Sequence, residues 1–126
     1  MSFDWSEYLT LAQELTSKST TSPIPEAHLR CAISRAYYAA FCKARNLLFN
    51  KDGYSTPRGK NAHQDVAYKF EGSTDATRQN IGSLLRHLRS VRNIVDYKNT
   101  FSGNQFGITK AALAEAEEVI KLLGTL

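Results

Sequence analysis

Three observations predict an all-α bundle of about five helices, two of them long and central. Apolar residues recur at helical spacing in five segments. No stretch shows the period-2 alternation of a half-buried strand. The breaks between segments are polar and carry Gly, Pro, Ser and Thr, the residues that stop helices.

The first helix is expected from Asp4 to about Ser17. Trp5, Tyr8, Leu9, Ala12 and Leu15 share one face, with Leu11 on its edge. Asp4 is a suitable N-cap, and Glu7 sits at capping-box spacing. Ser17 to Pro23 reads as a loop. The second helix starts at Pro25 or Glu26 and runs to about Phe49. Leu29, Ile33, Ala36, Ala40, Ala44 and Leu47 make its stripe. Tyr37, Phe41 and Leu48 widen that stripe, and Tyr38 projects from nearly the opposite side. Aromatics on more than one side predict two neighbours, one of which could be another subunit. Ala36, Ala39 and Ala40 allow close backbone approach.

Asn50 to Lys60 is a polar break with Gly53, Pro57 and Gly59. A shorter helix follows from about Ala62 to Phe70. That helix ends near Gly72, and Ser73-Thr74-Asp75 caps a fourth helix from about Ala76 to Tyr97 or Lys98. Phe101 to Thr109 reads as a second loop, and Thr109 as the cap of the last helix. Ala112, Leu113, Ala116, Val119, Ile120 and Leu123 form its stripe, with Gly124 as the stop.

The chain has 126 residues, which predicts one domain spanning 1–126 and a core that needs no disulfide or metal staple. Its 42% hydrophobic and 22% charged residues exclude a disordered chain. No apolar run reaches the roughly 18 residues of a membrane span. The opening Met1-Ser2-Phe3-Asp4-Trp5 lacks a basic region followed by an apolar core, so no secretory signal is expected. These features predict a cytoplasmic protein without a membrane partner. Cys31 and Cys42 share one helix and would stand about 16 Å apart, too far to bridge. Both are expected to be buried thiols acting as small hydrophobes.

The fourth helix carries the sharpest chemical signal. Ile81, Leu84, Leu85, Leu88, Val91 and Val95 make its apolar stripe. On a wheel of about 100° per residue, Arg92 falls roughly 45–50° from the stripe's centre. Asp96 lies one turn later and Arg89 beside both. A buried guanidinium is costly unless paired. One reading is a structural Arg92–Asp96 ion pair at i,i+4, or an arginine whose stem packs while its head reaches water. The other is an anion site at a helix or subunit cleft, because the arginine fork donates two parallel hydrogen bonds and keeps its charge. On the same wheel Tyr97 points away from the stripe unless the helix ends or bends there.

The formal net charge of +4 permits an anionic partner without requiring one. Its distribution is uneven. The second and fourth helices each carry a net +3, whereas the last is acidic through Glu115, Glu117 and Glu118. A solvated basic face is the more common meaning of such a run. His28, His63 and His87 lie on three segments without metal-ligand spacing, so no metal site and no cofactor are expected. No Gly-rich phosphate loop, nucleophile elbow or His-Glu metalloprotease motif is present in the sequence.

Ser34-Arg35-Ala36-Tyr37-Tyr38-Ala39-Ala40-Phe41, continuing to Ala44-Arg45-Asn46-Leu47-Leu48, resembles the second helix of HEPN domains (higher eukaryotes and prokaryotes nucleotide-binding). The likeness is to the small stand-alone prokaryotic type found beside minimal nucleotidyltransferases. Leu88 to Tyr97 resembles the fourth-helix motif of the same group, and His63, Val66 and Phe70 resemble its short third helix. The resemblance covers roughly residues 25–125. It implies an all-α bundle that dimerises, with two fourth-helix motifs facing one cleft. Many relatives are metal-independent endoribonucleases, often the toxins of toxin–antitoxin pairs. Their motif is Arg, a polar residue, a short spacer and His, acting on the scissile phosphate and the ribose 2′-hydroxyl. Here Arg92 matches the arginine and Asn93 the polar residue, but Tyr97 stands where His is expected. A phenol, with an ordinary pKa of about 10, is a poor general base near neutral pH.

Two functions follow as expectations. The first is a homodimer that binds RNA or nucleotide phosphate through Arg92, assisted by Arg89, Asn93 and Arg35, with weak endoribonuclease activity. Asp96 and Tyr97 are then the local groups for proton transfer. The second is a non-catalytic helical module that binds a nucleotidyltransferase, with Tyr97 as a residue that such a partner could modify.

Overall fold

The computed structural model describes residues 2–54 and 61–126. The part of the expected break that falls on 55–60 lies outside them. Five helices follow one another: α1 (Glu7–Ser19), α2 (Pro25–Asn50), α3 (Ala62–Glu71), α4 (Ala76–Tyr97) and α5 (Gln105–Leu123). No strand occurs among the described residues. The architecture is the all-α bundle that the periodicity predicted, with α2 and α4 as its long helices.

Helix α2 is the axis of the bundle and touches each of the other four helices. Its Ala36, Ala39, Ala40 and Ala44 are fully buried, so the close approach they allow is used by helices of the same chain. Helices α1 and α5 cover one side of α2, while α4 covers another together with α3, which packs on α4 and also reaches α2. One contiguous core joins Ile33, Tyr37 and Leu48 of α2 to Val66 and Phe70 of α3, Ile81 and Leu88 of α4, and Ala116 and Val119 of α5. Those of α2, α4 and α5 lie on faces that helical spacing had marked apolar.

Helix boundaries differ from expectation where side-chain oxygens choose other donors. Asp4 is not the N-cap of α1. Its Oδ1 accepts from the Ser6 amide at 3.1 Å and from the Ser6 hydroxyl at 2.7 Å, which makes a turn ahead of the helix. Ser6 occupies the cap position instead. The helix also runs past Ser17 to Ser19, and within it the Thr16 and Ser19 hydroxyls donate to the carbonyls of Ala12 and Thr16 at 2.8 and 2.6 Å. At α5 the expected cap Thr109 lies inside the helix. Its hydroxyl is fully buried and donates to the Gln105 carbonyl at 2.8 Å. Asn104 caps α5 by accepting from the Gly107 amide at 3.0 Å.

The end of α4 has a non-local cause. Arg30 of α2 donates from Nη1 to the carbonyls of Val95 and Lys98, both at 2.8 Å, and from Nη2 to that of Asn99 at 3.3 Å. Glu26 holds this guanidinium from behind at 2.8 Å. A cation on the orphan carbonyls of a helix C-terminus is favourable, and here it fixes where α4 stops. That stop places Asp96 and Tyr97.

Among the described residues, no helix is long and apolar enough to cross a membrane. Cys42 is buried, and burial pushes its thiol pKa up. Cys31 is exposed, contrary to the expectation for both cysteines, because it lies outside the stripe that α2 turns to its neighbours.

Candidate functional site

Arg92 is the centre of the candidate site. It is 5% exposed, the only buried charged residue among those described. The α4 stripe that packs on α2 carries it inward, so the wheel placed it correctly. Three tyrosine rings surround its guanidinium carbon: Tyr37 at 5.1 Å, Tyr38 at 5.5 Å and Tyr97 at 5.7 Å. Each ring face is attractive to a cation, and more so away from water.

The hydrogen bonds of this guanidinium are weak. Its Nη1 donates to the hydroxyls of Tyr38 and Tyr97, each at 3.4 Å, beyond the usual range for N–H···O. Asp96 Oδ2 lies 3.6 Å from Nη1, so the expected i,i+4 pair exists but is loose. That carboxylate also accepts from the Ser34 hydroxyl at 3.2 Å. Nε of Arg92 is buried and has no partner among the described residues, and the same holds for Nε of Arg89. A fully bonded structural ion pair would leave neither donor idle.

Tyr97 meets the condition under which the wheel left its orientation open. The helix ends at this residue, and the ring folds back so that its hydroxyl reaches Arg92, while the residue stays 72% exposed. Tyr38 likewise turns beside Tyr37 to face Arg92. Arg35 is close by, with its guanidinium 4.8 Å from the Tyr8 ring and 5.2 Å from the Tyr38 ring. Asn93 is half-buried beside Arg92 on α4 and makes no side-chain hydrogen bond among the described residues.

His63 belongs to the site, although its spacing in the sequence pointed to nothing. Its Nδ1 shares a 2.7 Å hydrogen bond with the Tyr37 hydroxyl, and its ring stacks on Phe41 at 4.3 Å. Burial depresses its pKa to about 4, helped by the positive charges of Arg92 and Arg89. The imidazole is therefore neutral at neutral pH. Burial also raises the Tyr37 hydroxyl, which keeps its proton, against the opposing pull of the two arginines. The signal that could have marked His63 was Tyr37, because a buried tyrosine hydroxyl requires a partner.

Chemically the site offers a desolvated cation with idle donors, two tyrosine hydroxyls, a neutral imidazole and one carboxylate. That set suits an oxyanion better than a metal ion. Among the described residues, no group of three or more His, Cys, Asp or Glu side chains gathers to hold one.

Neither the curated proteins nor the solved structures yield a match to this chain. One family model does match, that of the HEPN domain, over residues 9–126. The match takes in all of α2 to α5 and so every helix that contributes to the Arg92 cluster. The chain therefore belongs to the HEPN domain family.

Proposed function

We propose that this protein binds RNA or nucleotide phosphate at Arg92, in a cleft completed by a second copy of the chain, and cleaves RNA weakly without metal. One observation carries the reading: a guanidinium at 5% exposure keeps Nε unpartnered and Nη1 on bonds of 3.4 Å. Such a group is costly to the fold and becomes favourable when a phosphate takes its free donors. Membership of the HEPN family supports a nucleotide- or RNA-related ligand. In cleavage, Arg92 stabilises charge developing on the phosphate. Asp96 and Tyr97 are the adjacent groups for proton transfer, and both are tied to Arg92.

The test is binding and cleavage of single-stranded RNA by the purified protein and by Arg92→Ala. Loss of a charge-assisted bidentate contact is expected to weaken binding roughly 10- to 100-fold. If the unaltered protein neither binds nor cuts RNA, the reading fails.

Tyr97 at the motif histidine's position favours a second reading, a non-catalytic module that docks on a partner such as a nucleotidyltransferase. There Arg92→Ala lowers dimer stability and leaves any RNA affinity untouched. An unchanged melting temperature and unchanged dimerisation would count against that alternative.

A further inference from the structure

The seven described arginines fall into two sets. Arg30, Arg78 and Arg86 each hold a carboxylate at 2.7–2.8 Å. Arg35, Arg45 and Arg89 have no carboxylate partner among the described residues, and Arg92 has only the loose one described above. The sparsely paired arginines are not scattered. Tyr38 touches both Arg35 and Arg92, and Arg35 and Arg45 line one cavity of about 310 Å³ on the outer side of Tyr38.

The walls of that cavity are aromatic: Trp5 and Tyr8 from the N-terminal segment, Tyr38 and Phe41 from α2. No carboxylate lines it among the described residues. Arg35 lies between the Tyr8 and Tyr38 rings, and Arg45 stands 5.6 Å over the Trp5 ring. Arg45 spends Nε and Nη2 on the neutral Asn46 side chain at 3.2 and 3.1 Å, and Arg35 makes only a 3.5 Å contact to the Ser34 hydroxyl. A purely apolar occupant would leave these two cations buried without counter-charge. A simple anion would leave the aromatic walls without use. An aromatic anion satisfies both.

We propose that this groove is a second nucleotide subsite, which stacks a base on the Trp5–Tyr8–Tyr38 wall and takes its phosphate on Arg35 and Arg45. It rests on the nucleotide reading of Arg92, with which it shares Tyr38. Trp5 and Tyr8 lie before the segment matched by the family model. The same nucleotide chemistry has two sources, a free mononucleotide or the neighbouring unit of a strand that reaches Arg92.

Trp5 is the only tryptophan; it lines this groove and a neighbouring cavity beside Lys43, so the Arg35→Gln/Arg45→Gln variant decides which of the two its fluorescence reports. The experiment titrates the protein with uridine monophosphate, a hexauridylate and inorganic phosphate. Saturable quenching by the mononucleotide is expected. It should survive in Arg92→Met and weaken at least roughly tenfold in Arg35→Gln/Arg45→Gln, checked for unchanged helical circular dichroism. Hexauridylate binding that is much tighter than the mononucleotide, with the gain lost in Arg92→Met, assigns the groove to a strand. Equal affinities assign it to a free nucleotide. A phosphate response equal to the mononucleotide's overturns the stacking subsite. So does a Trp5 signal that ignores nucleotides and changes with protein concentration, which would place a second copy on the groove. If Trp5 stays silent while Arg92→Ala still weakens RNA binding in a mobility-shift assay, the groove fails and the Arg92 reading stands. If Trp5 responds and Arg92→Ala changes no RNA binding, the reverse holds.

Discussion

Arg92 lies in the apolar stripe of α4 with idle donors, and such a residue costs stability in return for chemistry. Arg92→Met keeps the stem and removes the charge. Its melting temperature should equal or exceed that of the unaltered protein, while RNA affinity falls. Thermal unfolding and a binding titration on the same sample check both halves. His63 gives a pH dependence of definite sign. Its pKa is about 4 in the fold against an ordinary value near 6.5. Between these values the unfolded chain binds more protons than the folded one. Stability is therefore full above about pH 6.5 and declines as the pH falls toward 4. His63→Phe keeps a ring on Phe41 and should flatten this part of the profile of melting temperature against pH.

At the scale of elements, the structure depends on two non-local contacts. Helices α3 and α4 cross at Gly82, where an added Cβ would lie 2.5 Å from Glu71 Cγ and 2.8 Å from the Glu71 amide nitrogen. Gly82→Ala should destabilise the protein by about 1–3 kcal/mol in denaturant unfolding, despite the better helix propensity of alanine. The second contact is Arg30 on the last carbonyls of α4. Arg30→Ala should fray that end, seen as faster amide hydrogen exchange at Tyr97 and Lys98, with a loss of about 1–2 kcal/mol. RNA affinity should fall with it, because Asp96 and Tyr97 lose their fixed position.

Across the whole molecule, the net charge of +4 is less informative than where the unpaired part of it lies. Arg35, Arg92 and Arg89 occupy neighbouring places around Tyr37 and Tyr38, and Arg45 shares the outer groove with Tyr38, while Arg30, Arg78 and Arg86 are neutralised elsewhere. A single strand laid along the four should release counterions in proportion. The slope of log affinity against log salt is then about −2 to −3, and removing one of the four arginines should reduce its magnitude by about 0.7.

Helix order, the stripes and the inward position of Arg92 were legible in the sequence, because each depends on a period of 3.6 residues that any local segment displays. The family motif was legible for the same reason, since Arg35 to Phe41 and Leu88 to Tyr97 are each continuous. Three things were not. Asn104 rather than Thr109 caps α5 because side-chain oxygens compete for the same few amides, and local sequence ranks them poorly. The contact of Tyr97 with Arg92 was left open by the sequence, and the Arg30 that holds the last carbonyls of α4 lies 67 positions away. His63 joins Arg92 only because α3 and α4 pack together and a buried tyrosine hydroxyl of α2 needs a partner. Periodicity says which face a residue occupies. Which residue from another helix meets it depends on how the faces pair, and that pairing is a property of the packed chain.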